Sequence, residues 1–256
     1  MAYTTQDVHE KIKKLLYSLT GITLTENKDI MISNRIDKLK RNCNNYGDIM
    51  ELLDSVEKGQ NVTEFINTFT TNKTHFFREE FHFEDLRDRV LPNFSNNKEN
   101  ISIWCSASST GEEPYSIAMT VSEADDEIYR YSKSSKEFPS WIKPQNYFKR
   151  RIQKNLSGEE VLIKVNDELK KMITFHIMNL SNSSYPFSTH QFDVIFCRNV
   201  LIYFSVEDQN SILIKLFKYL KIGGTLYLGH SENPQDLIHY VKRVGQNIFV
   251  KEKDLA

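Results

Sequence analysis

The sequence predicts an α/β fold, a doubly wound sheet preceded by a helical domain. Three observations carry that expectation. Residues 1–75 set their apolar side chains on a 3.6-residue period. From Ile101 onward come four short apolar runs, Ile101–Cys105, Ile173–Met178, Phe192–Cys197 and Thr225–Leu228, of the unbroken kind that suits parallel strands covered on both faces. Helical stretches separate them, and strands alternating with helices form a sheet that binds its ligand outside the carboxyl ends of the strands.

Taken in order, the first helix carries Val8, Ile12, Leu15, Leu16 and Leu19, and the second Ile32, Ile36 and Leu39. A third uses Ile49, Leu52, Leu53 and Val56, and a fourth Phe65, Ile66 and Phe69. Residues 76–100 read as a linker: a helix over Phe81–Leu91 with Phe83, Leu86 and Val90 on one face, stopped by Pro92 and the polar run to Asn100. The second domain, 101–256, opens on its most informative stretch, Trp104 to Met119. There an apolar strand passes through the small residues Ala107–Gly111 into a helix with Pro114 in its first turn. Glu112 and Glu113 at that turn would repel a polyphosphate and welcome hydroxyls or a cation. Between Glu123 and Leu169 the pattern breaks into short polar pieces around Trp141, Tyr147, Phe148 and a strand at Val161–Val165, marking a small subdomain over 128–170. A helix over Val206–Leu220 is expected to end at the turn Lys221-Ile-Gly-Gly224.

A net charge of −1 gives no global field for nucleic acid or a membrane surface. No apolar run approaches the roughly 20 residues that span a bilayer, and the first residues lack the apolar centre of a signal peptide, so a cytoplasmic protein is expected. Cys43, Cys105 and Cys197 fit neither a disulfide framework nor a zinc site, and the seven histidines lack ligand spacing, so no metal is expected. Gly229-His-Ser-Glu-Asn233 is a poor nucleophile elbow, because Asn233 stands where the second glycine is needed.

Four motifs in order resemble the CheR-type chemoreceptor methyltransferases. They are the Trp104–Met119 stretch, Thr70-Thr-Asn-Lys-Thr-His-Phe-Phe-Arg-Glu79, Phe192-Asp-Val-Ile-Phe-Cys-Arg-Asn-Val-Leu-Ile-Tyr-Phe204, and Gly223-Gly-Thr-Leu-Tyr-Leu-Gly-His-Ser-Glu-Asn233. The resemblance implies a Rossmann-like S-adenosylmethionine-dependent methyltransferase sheet, an N-terminal helical domain and a small antiparallel β subdomain. It implies methyl transfer from S-adenosylmethionine to glutamates in the cytoplasmic methylation region of chemotaxis receptors. The subdomain would dock a receptor C-terminal peptide, as in some members, and the protein would act as a monomer without nucleic acid or membrane insertion.

The resemblance also implies site residues. Asn72, Thr74 and Arg78 would lie beside the cofactor, with Arg78 handling the reacting carboxylate; the plain reading of Arg78 is a surface arginine paired with Glu79 or Glu80. Tyr203 would face the methyl group, where the alternative is a core tyrosine. Glu113 would accept from the methionine ammonium, Asn179 and Leu180 would contact the adenine, and Arg198 and Asn199 would complete the pocket; alone, Asn179 reads as a turn residue, and Arg198 and Asn199 as strand-end polar groups. Along the second helix, Arg35, Lys38 and Arg41 would face the receptor, against the usual reading of a solvated face.

The chain departs from the family after Val121. Relatives there carry a second parallel strand, ending in the acid that grips the ribose, and a helix, whereas only Ser122–Glu127 precedes the next matching segment. Six residues cannot supply a βαβ connection of at least ~10–12. Two expectations follow: a working methyltransferase in which Asp125, Asp126 or Glu127 replaces the acid, or a catalytically impaired receptor-binding protein of the same fold. The sheet should then join Ile101–Cys105 directly to Ile173–Met178, or leave an open edge between them.

Overall fold

A computed structural model describes residues 3–255 apart from 25–27, 44, 71–72, 96–99, 126–138, 140, 143–146 and 156–157. The four expected N-terminal helices are present: α1 (Thr5–Thr20), α2 (Asp29–Asn42), α3 (Ile49–Glu57) and α4 (Val62–Phe69). Their apolar stripes meet in one core that includes Ile12, Leu16, Ile32, Leu39, Leu53 and Phe65. The start of α1 is fixed by a capping box, in which Thr4 and Asp7 satisfy each other's backbone N–H groups. It ends at Gly21, in the left-handed conformation (φ 77°). A side chain there would collide with Ser181, so this glycine also permits the helical domain to close on the second domain.

The linker helix runs further than Pro92 suggests. It comprises α5 (Phe81–Asp85), a π turn (Leu86–Val90) and α6 (Leu91–Ser95), and it passes through the proline. In a regular α-helix the ring would press on the carbonyl four residues back; the wider turn immediately before it, where the Leu91 N–H reaches the Leu86 carbonyl, loosens that register. This helix is no free linker, since Phe83, Leu86, Val90 and Leu91 pack on the sheet with Val194, Phe196 and Tyr227.

The sheet has the order β1 (Ile103–Cys105), β4 (Phe192–Cys197), β5 (Leu220–Leu228), β7 (Ile248–Lys251), β6 (Val241–Gly245), with β1, β4 and β5 parallel and the last two antiparallel. Every residue of β4 is buried. Its alternate side chains enter two cores: Ile195 and Cys197 join Trp104, Leu213 and Phe217, while Val194 and Phe196 join the linker helix and α7 (Glu112–Asp125). An unbroken apolar run is thus what a sheet covered on both faces requires. The α9 helix (Val206–Tyr219) leads straight into β5, so Lys221–Gly224 belongs to the strand, not to a turn. The end of α9 is satisfied by a buried lysine, Lys251, whose Nζ donates to the carbonyls of Phe217 and Leu220 at 2.8 Å each. The expected Val161–Val165 strand lies within β3 (Gly158–Val165), which pairs antiparallel with β2 (Phe148–Asn155) as a separate ribbon followed by a short α8 (Asp167–Lys171). No helix among the described residues is long and apolar enough to cross a membrane.

One expected strand fails. Ile173–Met178 joins no ladder, and the far edge of β1 has no partner among the described residues. Between them lies a cavity of about 620 Å³ walled by Ile101–Ser106 on one side and Met172–Met178 on the other. The reason is the short connection after α7: among the described residues no strand bridges the two runs, so neither finds hydrogen-bond partners across the gap. Of the two outcomes expected for the sheet, the open edge is the one adopted. Phe175 and Ile177, two residues apart, both face solvent, and Ile177 is fully exposed.

An open edge beside exposed apolar residues favours intermolecular strand pairing. Ile177→Lys is therefore expected to lower concentration-dependent self-association, read by light scattering, while shifting the thermal midpoint by little because the side chain buries nothing. Equal scattering in variant and parent would show that association does not use this edge.

Candidate functional site

The site forms where β1 and β4 end. From β1 the chain turns through Ser106–Gly111 into α7, which places Glu113, half-buried, in the first helical turn. Across from it, β4 ends at Arg198, whose guanidinium has no exposed surface. Its Nη1 donates to Glu113 Oε2 at 2.9 Å. Its Nη2 lies 3.3 Å from Glu79 Oε2 and donates to the Arg78 carbonyl. One arginine thereby holds the strand-end turn of α7 and the loop before α5 together.

Two carboxylates pair with that guanidinium, and a third, Glu232, stands close enough to Glu113 to act on it. Burial pushes the Glu113 carboxyl above its ordinary range, against the pull of Arg198 and of the Cys105 thiol, which donates to Glu113 Oε1 at 3.2 Å. Burial also opposes ionisation of Glu79, but the Asn199 amide, donating to it at 3.0 Å, and the Arg198 charge outweigh that and hold its carboxyl low. Glu232 is buried as well, and burial raises its carboxyl in spite of several backbone N–H groups that point at it. The excess of buried negative charge over one guanidinium suits a cationic ligand. His82 lies under this cluster, its Nδ1 3.6 Å from Glu79 and its Nε2 3.2 Å from the Gln246 carbonyl.

The sequence-derived site residues are distributed unevenly around this centre. Glu113, Arg198 and Asn199 meet in it. Arg198 does so as the group that holds Glu113 and Glu79, not as an open face for a ligand. Arg78 contributes its carbonyl to the cluster; its guanidinium donates to the Lys73 carbonyl at 3.3 Å, while Glu79 is taken by Arg198 and Asn199. The residues flanking it, Phe77 and Glu79, are left-handed (φ 52° and 57°), a conformation that costs energy outside glycine. Phe77 is kept there by burial against Phe83 and Trp141 and by its N–H donating to Ser116 Oγ at 2.9 Å. Thr74 is half-buried in the same loop. Asn72 lies outside the described residues.

Tyr203, half-buried, ends the 3-10 turn Leu201–Tyr203, and its carbonyl accepts the Thr23 N–H at 2.9 Å. Asn179 is a turn residue in fact: its carbonyl oxygen accepts the Ser181 N–H and its amide donates to the Leu19 carbonyl of α1 at 3.1 Å. Leu180 buries its side chain in the sheet core. This pair joins the sheet to the helical domain.

Two other expectations change. Asp125 ends α7 while Glu113 begins it, and twelve residues of helix separate them by ~18 Å, so Asp125 cannot serve a ribose bound at the cofactor turn; Asp126 and Glu127 lie outside the described residues. Arg35 is not a free docking cation, because it donates to the carbonyls of Thr68 and Thr70 at 3.1 and 3.0 Å and closes the end of α4. Lys38 and Arg41 remain exposed. Sequence reasoning missed Glu79, His82 and Glu232. The two acids stand inside quoted motifs, but nothing local distinguishes a buried carboxylate from a surface one.

The chain matches the model of the CheR methyltransferase SAM binding domain over residues 72–138 and 142–250, and that of the CheR methyltransferase all-alpha domain over residues 9–70. It is similar to the chemotaxis protein methyltransferase of Salmonella typhimurium, 33% identical over 271 aligned positions that cover 98% of this chain and 92% of the relative. The chemotaxis protein methyltransferase of Escherichia coli is 34% identical over 274 positions, covering 97% and 92%. Chemotaxis protein methyltransferase 2 of Pseudomonas aeruginosa is 31% identical over 271 positions, covering 96% and 93%. These alignments are longer than the 256-residue chain, so the relatives carry residues for which it has no counterpart.

The buried imidazole generates a pH dependence. Burial, then the Arg198 charge, depress His82 to about 4, against the attraction of Glu79, the Gln246 carbonyl and Asp85. The fold therefore favours neutral His82. That stability is complete above the unfolded value of 6.5 and is lost as pH falls from there towards about 4, by roughly 3 kcal/mol at most. Thermal midpoints measured from pH 7 to pH 4.5 should fall steeply for the parent and less steeply for His82→Gln; parallel slopes would place the acid sensitivity elsewhere.

Proposed function

The chain belongs to the CheR methyltransferase family, and from that membership we propose that it esterifies glutamate side chains in the cytoplasmic methylation region of chemotaxis receptors. It is an S-adenosylmethionine-dependent chemotaxis methyltransferase. The relatives all carry the name methyltransferase, and the impaired-binder reading finds no support among them.

The observation that supports this reading best is the half-buried pair Glu79 and Glu113 against the Arg198 guanidinium, with buried Glu232 close by. S-adenosylmethionine carries a sulfonium and an ammonium, and residues of this kind fit it. The cavity beside the turn, about 620 Å³ and lined by Cys105, Ser106, Ser108 and Pro114, is of ordinary size for a ligand pocket (about 300–1,000 Å³). In its wall the buried Ser106 hydroxyl has no hydrogen-bond partner. Glu113 already serves Arg198 and Cys105, yet each carboxylate oxygen keeps a second lone pair for an ammonium.

When bound, S-adenosylmethionine supplies a methyl group whose transfer leaves a neutral thioether, so a carboxylate becomes an ester with no proton to move. A glutamate is already ionised at neutral pH. The protein's work is then orientation. Thr74 and Asn199 border the cofactor, Asn179 and Leu180 form the wall towards its adenine, and Glu113, fixed by Arg198, receives the amino group. Arg78 turns its guanidinium from the Lys73 carbonyl to the incoming carboxylate and sets its plane. Tyr203 closes the opposite side of the reacting centre. Lys38 and Arg41 on α2 attract the acidic receptor helix, and the β2–β3 ribbon receives a receptor tail peptide. The protein acts in the cytoplasm as a monomer, in three parts: residues 1–75, the helix-bearing 76–100, and 101–256 with an inserted subdomain, 128–170, to which the β2–β3 ribbon belongs.

Incubation with labelled S-adenosylmethionine and receptor fragments is expected to give base-labile methyl esters; no ester on any fragment would sink the proposal. Arg78→Ala and Tyr203→Phe should lower kcat by about ten- to a hundredfold, as expected when reacting groups lose alignment, with calorimetric affinity for the cofactor nearly unchanged. Equal losses of rate and affinity would contradict their roles. The double variant Lys38→Glu/Arg41→Glu should weaken binding of receptor fragments and flatten its salt dependence. Unaltered binding would remove α2 from the docking surface.

A further inference from the structure

Glu232 has no part in the reading above beyond its charge, yet its carboxylate gathers four backbone donors. Its carboxylate is buried and accepts four backbone N–H groups: Val200 and Leu201 on Oε1 at 2.9 and 2.8 Å, and Asn199 and Gly229 on Oε2 at 2.9 and 2.6 Å. Three of these donors are consecutive. They converge because Asn199 is left-handed (φ 57°), which turns successive N–H groups to one side and makes the concave anion site usually met at bound phosphates. Here the anion is a side chain of the protein itself.

The acid is held as firmly as the turn it holds. The Asn247 amide, from the β6–β7 connection, donates to the carbonyls of Gly229 and Glu232 at 2.7 and 2.6 Å. Gly229 lies so close that a Cβ would stand 2.6 Å from the Asn199 nitrogens and 2.7 Å from Glu232 Oε2. Downstream, the same turn carries the two side chains of interest. Asn199 reaches Glu79 at 3.0 Å, and one 3-10 turn later Tyr203 is tied by its carbonyl to Thr23 of the helical domain.

We propose that Glu232 is a positioning residue for methyl transfer: its carboxylate fills the backbone site formed by Asn199, Val200 and Leu201 and so fixes the Asn199 and Tyr203 side chains at the reacting centre. This rests on the placement of Asn199 and Tyr203 argued above. A residue that merely filled space would tolerate an isosteric amide. A residue that acts as an anion would not, because glutamine has one acceptor oxygen and sets an NH2 group against N–H donors.

The test uses the full chain with Glu232→Gln, Glu232→Ala and, in parallel, Tyr203→Phe. Glu232→Gln is expected to lose kcat by about ten- to a hundredfold with cofactor affinity by calorimetry changed by less than about threefold, under half the roughly 1.4 kcal/mol of a tenfold change. Glu232→Ala should be equally slow and should recover in proportion to added formate, a carboxylate small enough for the vacated site, but not with formamide. Full rate in Glu232→Gln, or equal recovery with formate and formamide, overturns the assignment. If Glu232→Ala fails to fold, judged by circular dichroism, the isosteric glutamine variant decides alone. The two levels separate cleanly: a slowed Tyr203→Phe beside an unaffected Glu232→Gln removes only Glu232, whereas an unaffected Tyr203→Phe removes the site reading itself.

Discussion

The buried Arg198 guanidinium is the interaction on which the rest of this protein depends. It sits at the end of the central strand β4 and reaches two elements far from it in sequence, the start of α7 through Glu113 and the loop before α5 through Glu79 and the Arg78 carbonyl. A charge with no exposed surface survives only if it is paired, and leaving it alone would cost about 3–5 kcal/mol. The loop is thereby forced against the sheet in a conformation, left-handed at both Phe77 and Glu79, that it would not adopt by itself. Strain at the site and the ion pair that maintains it are two sides of one arrangement.

The same cluster explains how a fold of common type becomes selective for a cation. Many α/β sheets end their first strand in a turn of small residues that receives phosphate at a helix N-terminus. Here the helix begins with Glu112 and Glu113, and two half-buried acids, Glu79 and Glu113, share one buried arginine. The backbone N–H groups best arranged to take an anion, at Asn199–Leu201, are already filled by Glu232. Anion capture is thus closed off at one strand end and reversed in sign at the other.

The helical domain is built into the sheet domain rather than hung from it. Gly21 removes the side chain that would strike Ser181, the Asn179 amide and the Ser181 hydroxyl donate to carbonyls at the end of α1, and Thr23 holds the carbonyl of Tyr203. Tyr203 ends the turn that leaves β4, so this hydrogen bond ties that turn to the segment just after α1. The gap beside β1 has the opposite character: the sheet stops at three-residue β1, and the apolar run opposite it stays unpaired.

By itself, the sequence determined the elements and the family. The 3.6-residue stripes of α1 to α4, the doubly covered run of β4 and the Trp104–Met119 passage from strand to helix are local patterns, and local patterns are what side-chain period and backbone preference dictate. The chain also showed the missing strand, because six residues are too few for a crossover whatever surrounds them. Tertiary structure alone decided the rest. Ile173–Met178 has the composition of a strand, but a strand exists only with a partner, and it has none among the described residues. Pro92 reads as a helix end, yet packing on Val194 and Phe196 carries the helix through it by way of a π turn. Arg35 reads as a surface charge and closes α4 instead, Asp125 is acidic but stands at the wrong end of its helix, and Glu79 and Glu232 look like any other acids. Whether a polar side chain is solvated, buried or paired depends on residues as far as 164 positions away, as with His82 and Gln246, and that distance is set by how the chain folds back on itself.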